Sequence, residues 1–585
     1  MKKVQKQQKS FKIVSYLSKH KLAIFFVPVL KAIGAVTEVI IPLLMSYIID
    51  IGIKNNDIAY IWKFSALILA LSIVAIVADI CGQYFAAKAT ERMARDMRHD
   101  IFAHINDLSH AELDKFSTTG LLNRTVEDVY QIKTGVGSLL RTAIRIPFLI
   151  AGSLVMAMTI NIKLSLIFLV VSPVLIGAVL LIMKRVSPLL KLSKDKLDKT
   201  SNVTRENLTG VRVVRAFNKQ NFEAKRFQTA NYELVNTQQK IAAWGAILPS
   251  LIYTIVNFAI IAILYFGGFE VNIGGISQGN LIAFINYFTR ISAALVAIAR
   301  LITIYTRMSA SSNRIDEILS LKNSIKDPAK PVEINFDNPN LSGVVFENVS
   351  FSYNNIKDVV SNLSIKVEPG QTIGVIGGTG SGKSSIVYLI PRFYDATKGN
   401  VLVGGENVKK YRVSDLRKII GIVPQNPTLF EGTIESNLKW RKPDATEEDM
   451  IRALKISQSY DFVKEYPDFL KHKVDRGGTN FSGGQKQRLT IARALVDNPK
   501  ILILDDSTSA LDFATDTKLR KAIKTHLVNT TTFIVSQRTN SLRDADPIIV
   551  LDNGNIVDIG KHEELLERCS VYAEIHQSQN KEVKK

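Results

Sequence analysis

Cysteine is nearly absent, with Cys81 and Cys569 the only two in 585 residues. They lie far apart and in unlike surroundings, which excludes a disulfide-stapled secreted fold. Glycine (33) and proline (17) fall well short of a collagen-like or low-complexity composition. Acid is the scarcer charge, 53 Asp and Glu against 74 Lys and Arg, a net of +21 with His neutral. No basic cluster is interleaved with stacking aromatics, so no nucleic-acid partner is expected. An apolar share of 46% excludes a disordered basic chain. A mean hydropathy of +0.12 alongside 22% charged residues implies two unlike parts, one in lipid and one in water.

The apolar runs crowd the first 310 residues. A bilayer core of about 30 Å takes about 20 mostly apolar helical residues. Six stretches qualify: 22–49, 61–87, 136–160, 164–183, 243–266 and 281–305, the third and fourth joined by Asn161–Lys163. Basic residues gather before the first span and in the stretches 88–135 and 184–241, including Arg92, Arg95, Arg98, Lys184, Arg185, Arg205, Arg212 and Arg215. The loops 50–60, 161–163 and 267–280 hold only Lys54 and Lys163. The positive-inside rule then puts the N-terminus and both long stretches in the cytoplasm, in a multi-pass protein of the plasma membrane. The basic start has no small-residue cleavage site, and the first span is too long for a signal-peptide core. It reads as an uncleaved first helix. Within the two polar stretches, 88–113 and 184–241 carry helical spacing and extend the membrane helices, with expected breaks at Gly120 and Gly210. Pro328, Pro331 and Pro339 mark a linker over 311–340. From 341 to 585 short β-branched runs alternate with helices, as in an α/β domain. The fold class expected is an all-α six-helix transmembrane domain over 1–310 followed by an α/β P-loop domain.

Residues Gln371–Ile376 read as a strand, and Gly377-Gly378-Thr379-Gly380-Ser381-Gly382-Lys383-Ser384 follows, with a helix beginning near Ser384 and Ser385 as a further nucleotide-binding candidate. In this G-x-x-x-x-G-K-S pattern the glycines let backbone N–H groups curl around phosphates. Lys383 reaches the β and γ oxygens, and the Ser384 hydroxyl ligates Mg²⁺. The apolar run Ile501–Leu504 ends in Asp505, the expected second metal anchor. A nucleotide with Mg²⁺ is what these residues call for.

Ser482-Gly483-Gly484-Gln485, upstream of Asp505, resembles the signature of ATP-binding cassette (ABC) proteins. A serine hydroxyl and two glycines at a helix start present N–H donors to an anion. The resemblance extends to Tyr353 as the adenine-stacking aromatic, Gln425 as the Q-loop glutamine and a further metal contact, and Asp512 in the D-loop Ser509–Asp512. It covers essentially the whole chain, the six spans included, as in half-transporter exporters. It implies a second half-transporter as partner, with ATP as the nucleotide, held between the phosphate loop of one chain and the signature of the other.

The sequence departs from that family at the reaction centre. Asp506 stands where a catalytic glutamate is expected, and Gln537 where a histidine is. One methylene less withdraws a carboxylate by roughly 1 Å, a displacement that costs about 100-fold in rate. Glutamine donates a hydrogen bond but carries no charge. Phe481 replaces the usual leucine before the signature, and Val474–Gly478 departs from the usual glycine-acid-arginine order. The pattern resembles the degenerate-site half of heterodimeric bacterial multidrug exporters, its own signature serving the partner's site. A slow homodimeric lipid or peptide exporter and a purely regulatory subunit are the alternatives. With no peptidase segment before the first span, processing-linked peptide export is not expected. Coupling helices are expected at 111–118 and 207–217. For the substrate path, Glu38, Asp79, Asn257, Asn286 and Arg290 are candidates, as are the rings of Tyr253, Phe258, Phe284, Tyr287 and Phe288. The two acids either attract cationic amphipathic drugs or pair with Arg141, Arg145, Arg290 and Arg300; pairing is the favoured expectation, because intramembrane charge is costly.

Overall fold

A computed structural model describes residue 13 and residues 15–335, 338–354 and 356–581. Most of the basic N-terminal segment, and Phe336 and Asp337 of the expected linker, lie outside the described residues. The chain forms two compact units that are not contiguous in sequence. One holds residues up to Asn106 together with Thr118–Leu321; the other holds Asp107–Ser117 and Lys322–Lys585.

Six long helices make the first unit: α1 Lys21–Ile53, α2 Ile58–Asp107, α4 Thr118–Ile160, α5 Ile162–Thr209, α7 Gln220–Asn272 and α8 Gln278–Leu319. Two short helices, α3 His110–Leu113 and α6 Val211–Ala216, interrupt the series. Each long helix carries an apolar stretch long enough to cross a membrane. The run after Asn161 is helical from Ile162, because the Asn161 side chain accepts the Leu164 N–H and caps α5. The first expected break falls elsewhere. Gly120 sits inside α4, and the chain reverses earlier, around α3, where Ser109 is extended (φ −74°, ψ 164°). A helix tolerates one glycine near its start at about 1 kcal/mol, whereas an extended residue stops it outright. Gly210 does end α5, at φ −92° and ψ 13°.

A six-stranded sheet in the order β12-β11-β3-β10-β9-β6 organises the second unit, parallel except where β12 turns back on β11. Its strands are β3 Thr372–Gly377, β6 Ile420–Val423, β9 Ile501–Asp505, β10 Thr531–Val535, β11 Ile548–Asp552 and β12 Asn555–Gly560. A second, antiparallel sheet has the order β2-β1-β4-β5, formed by β1 Val344–Phe351, β2 Val360–Val367, β4 Lys398–Val403 and β5 Glu406–Asn407. Strand alternation splits the core in two: Ile501 and Ile503 pack on one face with Phe533 and Val535, while Leu502, Leu504 and Ile534 pack on the other. A strand buried on both faces reads as a continuous apolar run, as Ile501–Leu504 does.

Candidate functional site

Ligands of parallel sheets gather beyond the carboxyl ends of the strands. There β3 runs into the loop 378–382 and helix α9 (Lys383–Leu389), and β9 ends at Asp505 with β10 between them. Gly377 is obligatory, since a Cβ there would fall 2.2 Å from the Leu551 carbonyl oxygen. Gly382 combines φ +94° with a Cβ position 2.7 Å from the Val359 oxygen. Neither Gly378 nor Gly380 has an atom within 4 Å of a built Cβ, so the loop's outer surface is open backbone. Beneath it the Ser381 hydroxyl is buried without a hydrogen-bond partner.

Lys383 Nζ donates to the carbonyls of Gly377 (2.9 Å) and Gly378 (2.6 Å), which folds its ammonium under the loop. Burial lowers the Lys383 pKa from its ordinary value, opposed by the nearby Asp506 and Asp505. Ser384 Oγ donates to Asp505 Oδ1 at 2.8 Å, so the two expected metal anchors meet. Asp505 Oδ2 is taken by Tyr388, whose hydroxyl donates at 2.7 Å from one turn further along α9. Tyr388 was invisible as a site residue in the sequence, where it is one more ring on an amphipathic helix. Burial and the Asp505 carboxylate both push its hydroxyl pKa up.

Asp506 occupies the left-handed region at φ +46°, a conformation that aspartate tolerates better than most residues. Its carboxylate accepts from Gln425 Nε2 at 3.1 Å. Burial pushes the Asp506 carboxyl above the usual aspartate range despite that bond and the neighbouring Lys383 and Arg538. Gln537 is exposed, and its carbonyl accepts from Gln579 Nε2 at 2.6 Å. Arg538 donates to the carbonyls of Ser509 (2.9 Å) and Leu511 (3.4 Å) and so ties the D-loop to the end of β10. Asp512 caps helix α11 (Phe513–His526) by accepting the Thr515 N–H at 3.0 Å.

Tyr353 lies at the edge of the same site, half exposed. Its ring meets Phe351 and Tyr394 edge-on at 4.7 and 5.1 Å, and its hydroxyl pairs with Ser385 Oγ at 2.9 Å. The signature opens helix α10 (Gly483–Leu495). Ser482 Oγ accepts the Gln485 N–H and Gln485 Oε1 accepts the Ser482 N–H, a reciprocal cap that leaves Gly483 bare. Among the described residues Ser482–Gln485 make no hydrogen bond to the loop 378–382.

Two models of known families match this chain. One, described as the ABC transporter transmembrane region, covers residues 24–295; the other, described as ABC transporter, covers 360–509. YfiB of Bacillus subtilis, an uncharacterized ABC transporter ATP-binding protein, is 33% identical over 573 residues, which is 97% of this chain and 98% of the relative. This chain is an ABC transporter. A second relative of this transporter, the B. subtilis protein YgaD, is described as a putative multidrug export ATP-binding/permease protein; it is 30% identical, with 97% and 98% covered. The fold matches that of a bacterial Atm1-family ABC exporter solved with ATP bound, at a TM-score of 0.79 and 23% identity over 96% and 98% of the two chains.

The transporter's residues fit ATP and Mg²⁺ on their own chemistry. An open backbone cradle, an unpaired buried hydroxyl at Ser381 and the Lys383 ammonium suit phosphate oxygens. Among the described residues no group of three or more His, Cys, Asp or Glu is placed to hold a metal ion. Mg²⁺ characteristically takes one or two protein oxygens and completes its shell with phosphate and water. Ser384 Oγ and Asp505 Oδ1, 2.8 Å apart, offer two oxygens that suit that role.

Within the bundle, the charged candidates are paired. Glu38 accepts from both Arg145 and Arg290, and Lys31 binds Asp79, which also accepts from Gln83 at 2.9 Å. Asp79 thus pairs with a lysine one helix away instead of an arginine. The candidate rings divide. Phe284, Tyr287 and Phe288 share one helix face at i, i+3, i+4 and are buried between helices, with Tyr287 donating to the Val39 carbonyl at 3.0 Å. Tyr253 and Phe258 are exposed, and Asn257 and Asn286 turn their amides back to the carbonyls of Tyr253 and Ile282. Burial separates these two sets.

The segment expected to couple the two parts lies with the nucleotide-binding unit. The His110 ring stacks on Phe393 at 4.4 Å, and Asp114 accepts from Tyr394 at 2.6 Å.

Proposed function

We propose that this transporter is one half of a heterodimeric exporter that moves amphipathic compounds out of the cytoplasm or inner leaflet. Its own phosphate site is slow, and its signature completes a faster site on the partner. The observation that carries this reading is the pair Asp506 and Gln537: a shortened carboxylate held by Gln425, and an uncharged side chain after β10 where a histidine is expected. Support for drug-like substrates comes from the putative multidrug export role in YgaD's description. The cap Ser482–Gln485, with Ser482 and Gly483 exposed and no hydrogen bond to the loop 378–382 among the described residues, supports a signature that acts on ATP held by another subunit.

In this reading ATP supplies the phosphoanhydride bond whose cleavage drives transport. Loop residues 377–385 hold the phosphates and Tyr353 stacks on adenine. Ser384, Asp505 and Gln425 hold the metal, and Asp506 orients water weakly. The N-terminus and the nucleotide-binding unit are cytoplasmic, and α3 and α6 transmit closure to the membrane helices. The exposed apolar tip Leu208, Val213 and Phe217 suits a crossing contact to the partner.

The test is the mass of the intact complex purified from its native membrane. A second, different half-transporter in equal amount is expected. Two copies of this chain alone, with brisk ATP hydrolysis, would overturn both the heterodimer and the slow site.

A further inference from the structure

The charges inside the membrane spans are unbalanced. Lys31, Arg141, Arg145, Arg290 and Arg300 lie well within spans that hold only two carboxylates, Glu38 and Asp79. Asp79 is occupied by Lys31, which is only 3% exposed, and by Gln83. Glu38 is shared: Arg145 gives one nitrogen to Oε1 and Arg290 gives one to Oε2. A guanidinium has five N–H donors in a planar fork. The other donors of both arginines have no hydrogen-bond partner among the described residues. Arg141, one turn before Arg145 on α4, forms no ion pair among those residues either.

The three charges also share a depth. Glu38 lies 15 residues before the end of α1 at Ile53, Arg145 lies 15 before the end of α4 at Ile160, and Arg290 lies 12 after the start of α8 at Gln278. At about 1.5 Å per residue they form one layer roughly 20 Å from the end of the bundle that carries the short turns. They are not sealed in packing. The side chains of Glu38, Arg145 and Arg290 remain 28%, 33% and 29% exposed on this chain. An arginine within a span costs several kcal/mol unless it faces water or a counter-charge. Two forks half-satisfied by one carboxylate make a place for a second anion, since a planar carboxylate accepts two parallel N–H bonds from an arginine.

We propose that the Glu38–Arg145–Arg290 layer binds the acidic head of an amphipathic anion, and that this transporter's substrates are carboxylates with an apolar body. The inference rests on the exporter reading above and names its substrate class. Glu38 acts as a resident placeholder that keeps the two guanidinium groups in the membrane when no substrate head is present.

The experiment uses matched fluorescent probes that differ only in the head: pyrenebutyrate, pyrenebutylamine and pyrenebutanol. The full transporter, in the assembly in which it is purified, is placed in phosphatidylcholine nanodiscs, with empty nanodiscs correcting for partition into lipid. Pyrenebutyrate is expected to bind about tenfold more tightly than the amine, the alcohol lying between, as loss of a charge-assisted hydrogen bond predicts. Arg290→Gln should remove most of that preference and Arg290→Lys should keep part of it. Glu38→Gln frees both forks and should tighten pyrenebutyrate binding, an outcome that damage to helix packing does not produce. Equal or tighter binding of the amine, or an unchanged preference in Arg290→Gln, would overturn the proposal. Overturned that way with ATP-driven amine transport intact, the anion class fails while the exporter reading stands. No ATP-driven movement of any of the three probes would strike the exporter reading itself.

Discussion

Two hydroxyls converge on Asp505, and that arrangement has consequences for single residues. Ser384 holds one oxygen and Tyr388 the other, so the carboxylate is oriented before any metal arrives. Tyr388→Phe removes one charge-assisted hydrogen bond, worth about 1.5–3 kcal/mol. The Mg²⁺ concentration for half-maximal nucleotide binding should shift by roughly tenfold, and an unchanged Mg²⁺ titration would show that Ser384 alone orients Asp505. Asp506 sets the pH response. Burial raises its pKa, so as pH falls it takes up a proton sooner than an ordinary aspartate. Any hydrolysis that needs its carboxylate should therefore lose activity on an acid limb above the usual aspartate range, read from a pH–rate profile. Asp506→Glu with Gln537→His restores the length and the titratable ring expected of a fast site. Turnover at this chain's own site should rise by about 100-fold if carboxylate placement is what limits it, and single-turnover kinetics would measure it.

At the scale of elements, helix ends and helix pairs carry the argument. The α10 cap is reciprocal between Ser482 and Gln485. Ser482→Ala removes the accepting hydroxyl at about 1 kcal/mol and leaves the N-terminus of the helix less well shaped for a phosphate. ATP hydrolysis by the complex should fall while nucleotide still binds this chain's own loop, which photo-labelling with an ATP analogue can separate. Lys31 and Asp79 lock α1 to α2 inside the bilayer span. Lys31→Met leaves a carboxylate that is 35% exposed and still bonded to Gln83, so the loss should be about 1–3 kcal/mol, between those of exposed and fully buried pairs. The thermal midpoint of the purified protein should drop, and the double change Lys31→Met with Asp79→Leu should recover much of it.

For the molecule as a whole, the charge distribution of the loops predicts which side of the membrane each faces. The short turn 54–57 carries one lysine, whereas the tip 217–219 adjoins Arg212 and Arg215. A cysteine at Asn56 should react with an impermeant maleimide in intact cells, and one at Asn218 only after permeabilisation. The opposite pattern would reverse the orientation derived from the basic loops. The division into two units is visible at the same scale, yet Asp107–Ser117 belongs with the nucleotide-binding unit despite its place among the membrane helices in sequence. No local signal marks that membership, since the stacking of His110 on Phe393 joins residues 283 positions apart.

The amino-acid sequence alone determined whatever depends on short-range chemistry. Six apolar runs of membrane length, the loop Gly377–Ser384 and the strand ending in Asp505 each occupy a contiguous stretch whose residue types admit few backbone solutions. The meeting of Ser384 with Asp505 was legible because a strand–loop–helix followed by an apolar strand constrains both ends of one sheet. Tertiary structure alone decided which side chains complete those stretches from a distance. Tyr388 on Asp505, Arg538 on the D-loop, Lys31 on Asp79 and the two arginines on Glu38 are chosen by helix rotation and sheet order. A shift of one residue along a helix turns a side chain by about 100°. Hydrophobic periodicity defines a face to within that angle, and an ion pair needs a few ångströms. Only packing of the whole chain supplies that precision.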